Sequence, residues 1–281
     1  MKTLVCWLGL IMAVGLYSCQ KSVSGTDDPS QPQQNKYLVK HTHNEPGMTF
    51  IDSFVYDAQN RVTRFHQTFY DSSNGPNPPP YLYYYDFYYH GADTLPYKVT
   101  DTSHGAGMIW LIEYDAQKRK TVDSIIFQGS GEKQVSYYTY SSNRVTANTS
   151  FYSPGQPVVI LKDTFDYEAG NCTKYTGYVA QGAAVFRWQY TITYDNRINP
   201  YSKMNIFNAI FFGGNGTLGD FTRINQNNHL TLTYFSPTIG GGPATSNFQY
   251  AYDAEGYPVS GTFFSASDPL RNGTEQFVYK Q

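Results

Sequence analysis

A short phrase returns along this chain: a large side chain, a spacer, Tyr, an acid, then a turn-forming pair. It constrains the fold more than any other feature. Phe54-Val55-Tyr56-Asp57-Ala58-Gln59-Asn60-Arg61-Val62 is one copy and Ile112-Glu113-Tyr114-Asp115-Ala116-Gln117-Lys118-Arg119 another. Tyr138-Thr139-Tyr140-Ser141-Ser142-Asn143-Arg144-Val145, Phe165-Asp166-Tyr167-Glu168-Ala169-Gly170-Asn171, Ile192-Thr193-Tyr194-Asp195-Asn196-Arg197 and Tyr250-Ala251-Tyr252-Asp253-Ala254-Glu255-Gly256-Tyr257 follow. Tyr114, Tyr140, Tyr167 and Tyr194 succeed one another after 26, 27 and 27 residues. Degenerate copies are expected near Tyr84 to Gly91 and near Ile224-Asn225.

Each copy has a physical reading. Two large residues flanking a spacer fall on the same face of a strand. An Asp then accepts the backbone N–H two residues on, and Asn or Gly supplies the left-handed residue that closes a hairpin. One period therefore holds two strands, a tight turn and a longer loop. About eight such units predict an all-β antiparallel meander of about sixteen strands, curled into a barrel-like or strongly bent sheet. One-sided strands support this. Phe65 and Phe69 oppose Arg64, His66 and Thr68; Tyr190, Ile192 and Tyr194 oppose Gln189, Thr191 and Thr193. No amphipathic helix of ten or more residues is evident. Asn74 to Pro80, Gly213 to Gly219 and Gly240 to Pro243 read as loops.

Composition narrows the classes of function. Aromatics make up 17% of the chain, with 27 Tyr and 18 Phe, which suits pleated surfaces. The formal charge of −2 argues against a nucleic-acid partner, which calls for a basic surface. A barrel with an aromatic interior and a water-facing outside is favoured over a membrane-spanning one. Such a spanning barrel needs an apolar outer band, whereas these strand faces carry Arg, Lys and Asp.

The N-terminus sets the compartment. Lys2 precedes the uncharged apolar stretch Leu4 to Leu16, too short to span a bilayer comfortably, so it reads as a signal peptide. Leu16-Tyr17-Ser18-Cys19 resembles the bacterial lipobox. That resemblance implies cleavage before Cys19, lipidation of its thiol and acylation of the new amino terminus, an anchor into the lipid bilayer. Residues 1–18 are thus expected to be the lipoprotein signal peptide, 19–36 a flexible Gln-, Ser-, Asp- and Pro-rich tether, and 37–281 a single β-repeat domain. With Cys6 removed and Cys19 lipidated, Cys172 has no disulfide partner.

The Tyr-Asp hairpins, the lipobox and the phrase Tyr194-Asp195-Asn196-Arg197-Ile198-Asn199-Pro200-Tyr201 together resemble a family of Bacteroidetes lipoproteins of unknown function. That resemblance implies a porin-like fold and location in the cell envelope, at the outer membrane. It carries no catalytic residues across.

Candidate chemistry is sparse. His41 and His43 share a strand face and could hold a metal, but no third or fourth ligand is apparent, so they read as solvated strand histidines. Asp163, Asp166 and Glu168 are neighbours in sequence without the facing geometry of a glycosidase pair. Gly213 to Gly219 lacks the Lys-Ser/Thr of a phosphate loop. No catalytic, cofactor-binding or metal-binding residues are therefore assigned. Aromatics are the remaining lead: Tyr81, Tyr83, Tyr84, Tyr85, Tyr88 and Tyr89 put rings on both faces of one strand, one set core and the other a candidate binding surface for a glycan or an envelope protein. The expected function is that of a non-catalytic envelope lipoprotein with a binding or structural role. A hydrolase of envelope or dietary polymers and a barrel-like carrier of an apolar small molecule are the alternatives.

Overall fold

The computed structural model describes residues 36–72, 79–103, 107–181, 184–202, 204–207, 223–238, 242–265 and 272–280. The signal peptide, Cys19 and residues 20–35 of the tether lie outside them, as does Gly213 to Gly219. Sixteen strands follow in order: β1 (Tyr37–Glu45), β2 (Met48–Tyr56), β3 (Val62–Asp71), β4 (Tyr81–Tyr88), β5 (Lys98–Asp101), β6 (Met108–Tyr114), β7 (Lys120–Phe127) and β8 (Lys133–Ser141). The second half comprises β9 (Arg144–Tyr152), β10 (Val159–Glu168), β11 (Asn171–Gln181), β12 (Ala184–Ile198), β13 (Asn227–Phe235), β14 (Ala244–Tyr252), β15 (Pro258–Ser265) and β16 (Gly273–Lys280). Every strand pairs antiparallel with its neighbours in sequence, and β1 pairs with β16, so the sheet closes into a barrel and leaves no free edge strand.

The Tyr-Asp phrases build one rim. In the β2–β3 connection Asp57 Oδ1 accepts the N–H groups of Gln59 and Arg61, each at 2.9 Å, and Asn60 takes a left-handed φ of 58°. A bulge at Tyr56 follows from that extra residue. Asp115 repeats the arrangement with Gln117, Arg119 and Lys118, and Asp253 with Glu255, Tyr257 and Gly256. The Arg of the turn also returns to its Asp, at 2.7 Å for Arg61 and 2.6 Å for Arg119.

Two expectations are corrected. Asp195 opens no hairpin: β12 runs through it to Ile198, and its carboxylate instead accepts the N–H groups of Arg197 and Asn228. Ile224-Asn225 is no repeat copy either. It belongs to the return of an inserted segment, residues 199–226, that joins β12 to β13. Its described residues Tyr201, Met204, Ile206, Phe207 and Ile224 are buried with Leu38, Phe54, Phe65, Trp110 and Phe277, so the insertion plugs the barrel at the Tyr-Asp rim. A second cluster of Phe165, Cys172, Tyr175, Tyr190 and Ile192 fills the wall from β10 to β12.

The core rings point inwards. Outward positions are mixed: Arg64 pairs with Asp86 at 2.6 Å, Arg144 with Asp166 at 2.5 Å, Thr193 bonds Thr231 and Thr233 bonds Thr245, while Leu111, Ile126, Tyr137, Ile160, Phe264 and Val278 are exposed there.

Candidate functional site

Alternation along the strands decides which rings line the interior. On β4, Tyr81, Tyr83, Tyr85 and Phe87 face in, while Leu82, Tyr84, Asp86 and Tyr88 face out. Tyr85 packs between Phe65 and Trp110, Tyr84 stacks on outward His66 at 4.4 Å, and Tyr88 lies against Lys98. Tyr89, just past the strand, donates its hydroxyl to the carbonyl of Val62 at 2.7 Å. The six tyrosines singled out in the sequence therefore do not form one surface.

Burial changes along the inward rows. On β4 the inward series runs from Tyr81, 44% exposed, to Phe87, 4%. On β12 it runs from Phe186, 43% exposed, to Tyr190, 7%. Both strands lose burial towards the end of the barrel opposite the plug, and they stand eight strands apart, on opposite walls. That end, the mouth of the barrel wall, carries half-exposed rings on these inward rows, and residues 73–78, 104–106, 182–183, 239–241 and 266–271 of its connections lie outside the described residues. The plugged end holds a small pocket of about 130 Å³ lined by residues including Tyr37, Tyr56, Arg61, Tyr89 and Met204.

One row crosses the mouth wall in register. His43 on β1 faces Phe50 on β2, Phe50 faces Phe69 on β3, and Phe69 faces Tyr81 on β4. Phe50 and Phe69 stack at 4.6 Å, and Tyr81 continues the column on Phe69 at 5.7 Å. At the other end of the row His43 stacks on Phe263 at 4.4 Å. Phe263 reaches it over Gly273, where a Cβ would sit 2.4 Å from the phenyl ring.

A charged floor begins at this row, with Glu45 on its mouth side and His41 and Asp52 deeper. His43 is held between Glu45 at 3.1 Å and Glu275 at 3.3 Å. His41 accepts or donates at 2.6 Å with the Tyr201 hydroxyl of the plug and stacks on Phe277. Asp52 takes Arg223 of the plug at 2.7 Å and Gln67 at 2.9 Å. The expectation of solvated histidines fails here: His41 is buried and His43 half-buried, because both face into the barrel. Among the described residues no group of three or more His, Cys, Asp or Glu side chains is arranged to hold a metal.

Electrostatics keep His43, Asp52 and Glu275 charged. Burial opposes a charged His43, yet the hydrogen bonds it donates to Glu275 and Glu45 outweigh it and lift the imidazole to about 9. Burial likewise disfavours the Asp52 carboxylate, but the Arg223 guanidinium and His41 prevail and hold it at about 2. Glu275 is also held at about 2, its burial overcome by His43, His41 and His229. A general acid must keep its proton near neutral pH, and neither carboxylate does so. Asp163, Asp166 and Glu168 offer no alternative pair. Asp163 is buried inside and accepts the Tyr175 hydroxyl, Asp166 points out to Arg144, and Glu168 is exposed beside the turn.

Sequence reasoning missed Asp52, Glu275, Glu45 and Arg223. The signal for Asp52 was available: it stands on the same alternation as Phe50 and Phe54, so it is a charge on an inward rung. Arg223 carried no such signal, since it lies in the insertion.

These features define a class: a closed sixteen-stranded antiparallel barrel, plugged at one rim and ring-lined at the other. In fold the chain is similar to a porin-like protein from Bacteroides vulgatus ATCC 8482, with TM-score 0.58, 10% identity and coverage of 88% of this chain and 99% of that one. It is similar also to a porin-like protein from Bacteroides uniformis ATCC 8492, with TM-score 0.55, 11% identity and coverage of 89% and 100%. No protein-family model matches the sequence, and no curated protein does.

Proposed function

We propose that this chain is a non-catalytic lipoprotein of the bacterial cell envelope, held at the outer membrane by acylated Cys19, with a barrel that binds its ligand through the mouth. The observation that carries the reading is the loss of burial along the inward rings of β4 and β12 towards the mouth. Large rings kept inside yet in contact with water are the lining of a binding cavity, whereas a purely structural core would cover them. Two outward ion pairs support attachment by an anchor. A strand that crossed a bilayer would expose Arg64–Asp86 and Arg144–Asp166 to hydrocarbon, at a cost of ~2–4 kcal/mol for an Arg near the midplane.

Fractionation of cells carrying the full chain or its Cys19→Ala variant tests the reading. The full chain is expected in the membrane fraction with a diacylglyceryl mass on Cys19, and Cys19→Ala as a soluble monomer. A Cys19→Ala protein that still needs detergent for extraction contradicts it.

A further inference from the structure

Resting on the binding reading above, the geometry points to a ligand class: we propose that the mouth takes a neutral oligosaccharide, one sugar ring lying on the half-exposed ring of Tyr81. Three observations lead there. First, Tyr81 ends a column of stacked rings. Phe69 covers one face, and the ladder between β4 and β5 begins only at Tyr85, so no strand residue follows Tyr81 across the sheet among the described residues. Among the described residues no second ring stacks on Tyr81, and the residue is 44% exposed. Aromatic faces of this kind gain by covering a flat, weakly polar surface.

Second, the same register row ends in hydrogen-bonding groups. His43 stands three strands from Tyr81, roughly 14 Å at ordinary strand spacing. It sits between the Glu45 and Glu275 carboxylates and remains partly accessible. Both imidazole nitrogens are engaged by Glu275 and Glu45, so the open capacity at this end is the remaining carboxylate lone pairs, to which sugar hydroxyls can donate.

Third, this polar end argues against the other classes. An acyl chain laid along the row would strip water from the Glu45–His43–Glu275 group, which holds one carboxylate more than its cation, and offer it no hydrogen bond, which is costly. An acidic sugar would meet two carboxylates against one imidazole. A short neutral oligosaccharide matches both ends, flat at Tyr81 and hydroxyl-rich at His43.

The test uses the full chain in lipid nanodiscs and isothermal titration. The probes are cellohexaose, laminarihexaose, maltohexaose and chitohexaose, with hexagalacturonate and 1-anilinonaphthalene-8-sulfonate as acidic and apolar comparators. At least one neutral hexaose is expected to bind. Tyr81→Ala and Tyr81→Leu should each weaken it tenfold or more, Tyr81→Phe should retain it, and Tyr88→Ala, outward on the same strand, should leave it unchanged. Tyr81→Leu keeps bulk, so it separates loss of the flat face from loss of folding. Neutral binding that ignores Tyr81 overturns the assignment. Tyr81-dependent binding of only the apolar or acidic probe overturns the sugar class while the binding barrel stands. Binding of no probe overturns both.

Discussion

The Tyr140 hydroxyl donates to the backbone carbonyl of Lys120 at 2.8 Å, so the tyrosine of one turn ties down the start of the hairpin before it. The relationship recurs around the rim. Tyr56 reaches Leu38, Tyr114 reaches Pro96, Tyr194 reaches Cys172 and Tyr279 reaches Pro258, all between 2.6 and 2.9 Å. The turn arginines add to it: Arg61 lies over Tyr89 and Arg119 over Tyr140, each ring belonging to a following turn. This explains why the phrase carries Tyr where Phe would fill the same space.

Tyr140→Phe is therefore expected to lower stability by about 1 kcal/mol with the fold intact, since the ring stays and only the buried hydroxyl bond is lost. Urea unfolding followed by fluorescence measures it. An unchanged midpoint would mean the hydroxyl contributes nothing.

Lys118 offers the opposite sign. It occupies the left-handed region, φ 60°, at the position where the Asp253 turn has Gly256. Relief of that strain in Lys118→Gly exceeds the entropy glycine costs, so stability should rise by about 0.5–1 kcal/mol. A loss of stability in the same urea experiment would show that the turn tolerates lysine without strain.

The charged floor sets a dependence on pH. His43 is raised to about 9 from an ordinary 6.5, so its contribution is complete below 6.5 and drains away as pH climbs through 9. Asp52 and Glu275, held near 2, contribute fully above their ordinary 3.8 and 4.5 and lose this as pH falls towards 2. Burial holds His229 at about 4, so unfolding gains a proton, and stability drops, between 6.5 and 4. Stability should peak near neutrality. His43→Gln should flatten the alkaline decline by on the order of 2 kcal/mol. An equally steep decline in the variant would assign it to another group.

Much of the architecture was legible because a hairpin writes itself locally. Asp57 and Asp115 need only their own next four residues to close a turn, and alternation places Phe65 and Phe69 without reference to the rest of the chain. Asp195 misled because its acceptor role is filled partly from Asn228, 33 residues away, across the insertion. The candidate site was less legible for the same reason. His43, Phe50, Phe69 and Tyr81 meet only through the register of four strands, and Glu275 joins them only once the last strand closes on the first. The run of tyrosines on β4 drew notice by composition, but only pairing shows that Tyr81 sits half-exposed at the end of an inward row while Tyr85 is packed into the core.

The central claim is that the outer face of the barrel meets water. Thr191 and Gln249 are exposed, outward positions within β12 and β14, and Cys172 is buried. The most direct measurement labels Thr191→Cys and Gln249→Cys, each in the full chain on lipid vesicles, with a charged maleimide that does not enter bilayers. Both introduced cysteines should react as fast on vesicles as after the lipid is dissolved, with Cys172 silent until unfolding. Protection of either one until the vesicles are dissolved would put those strands in hydrocarbon and contradict the account.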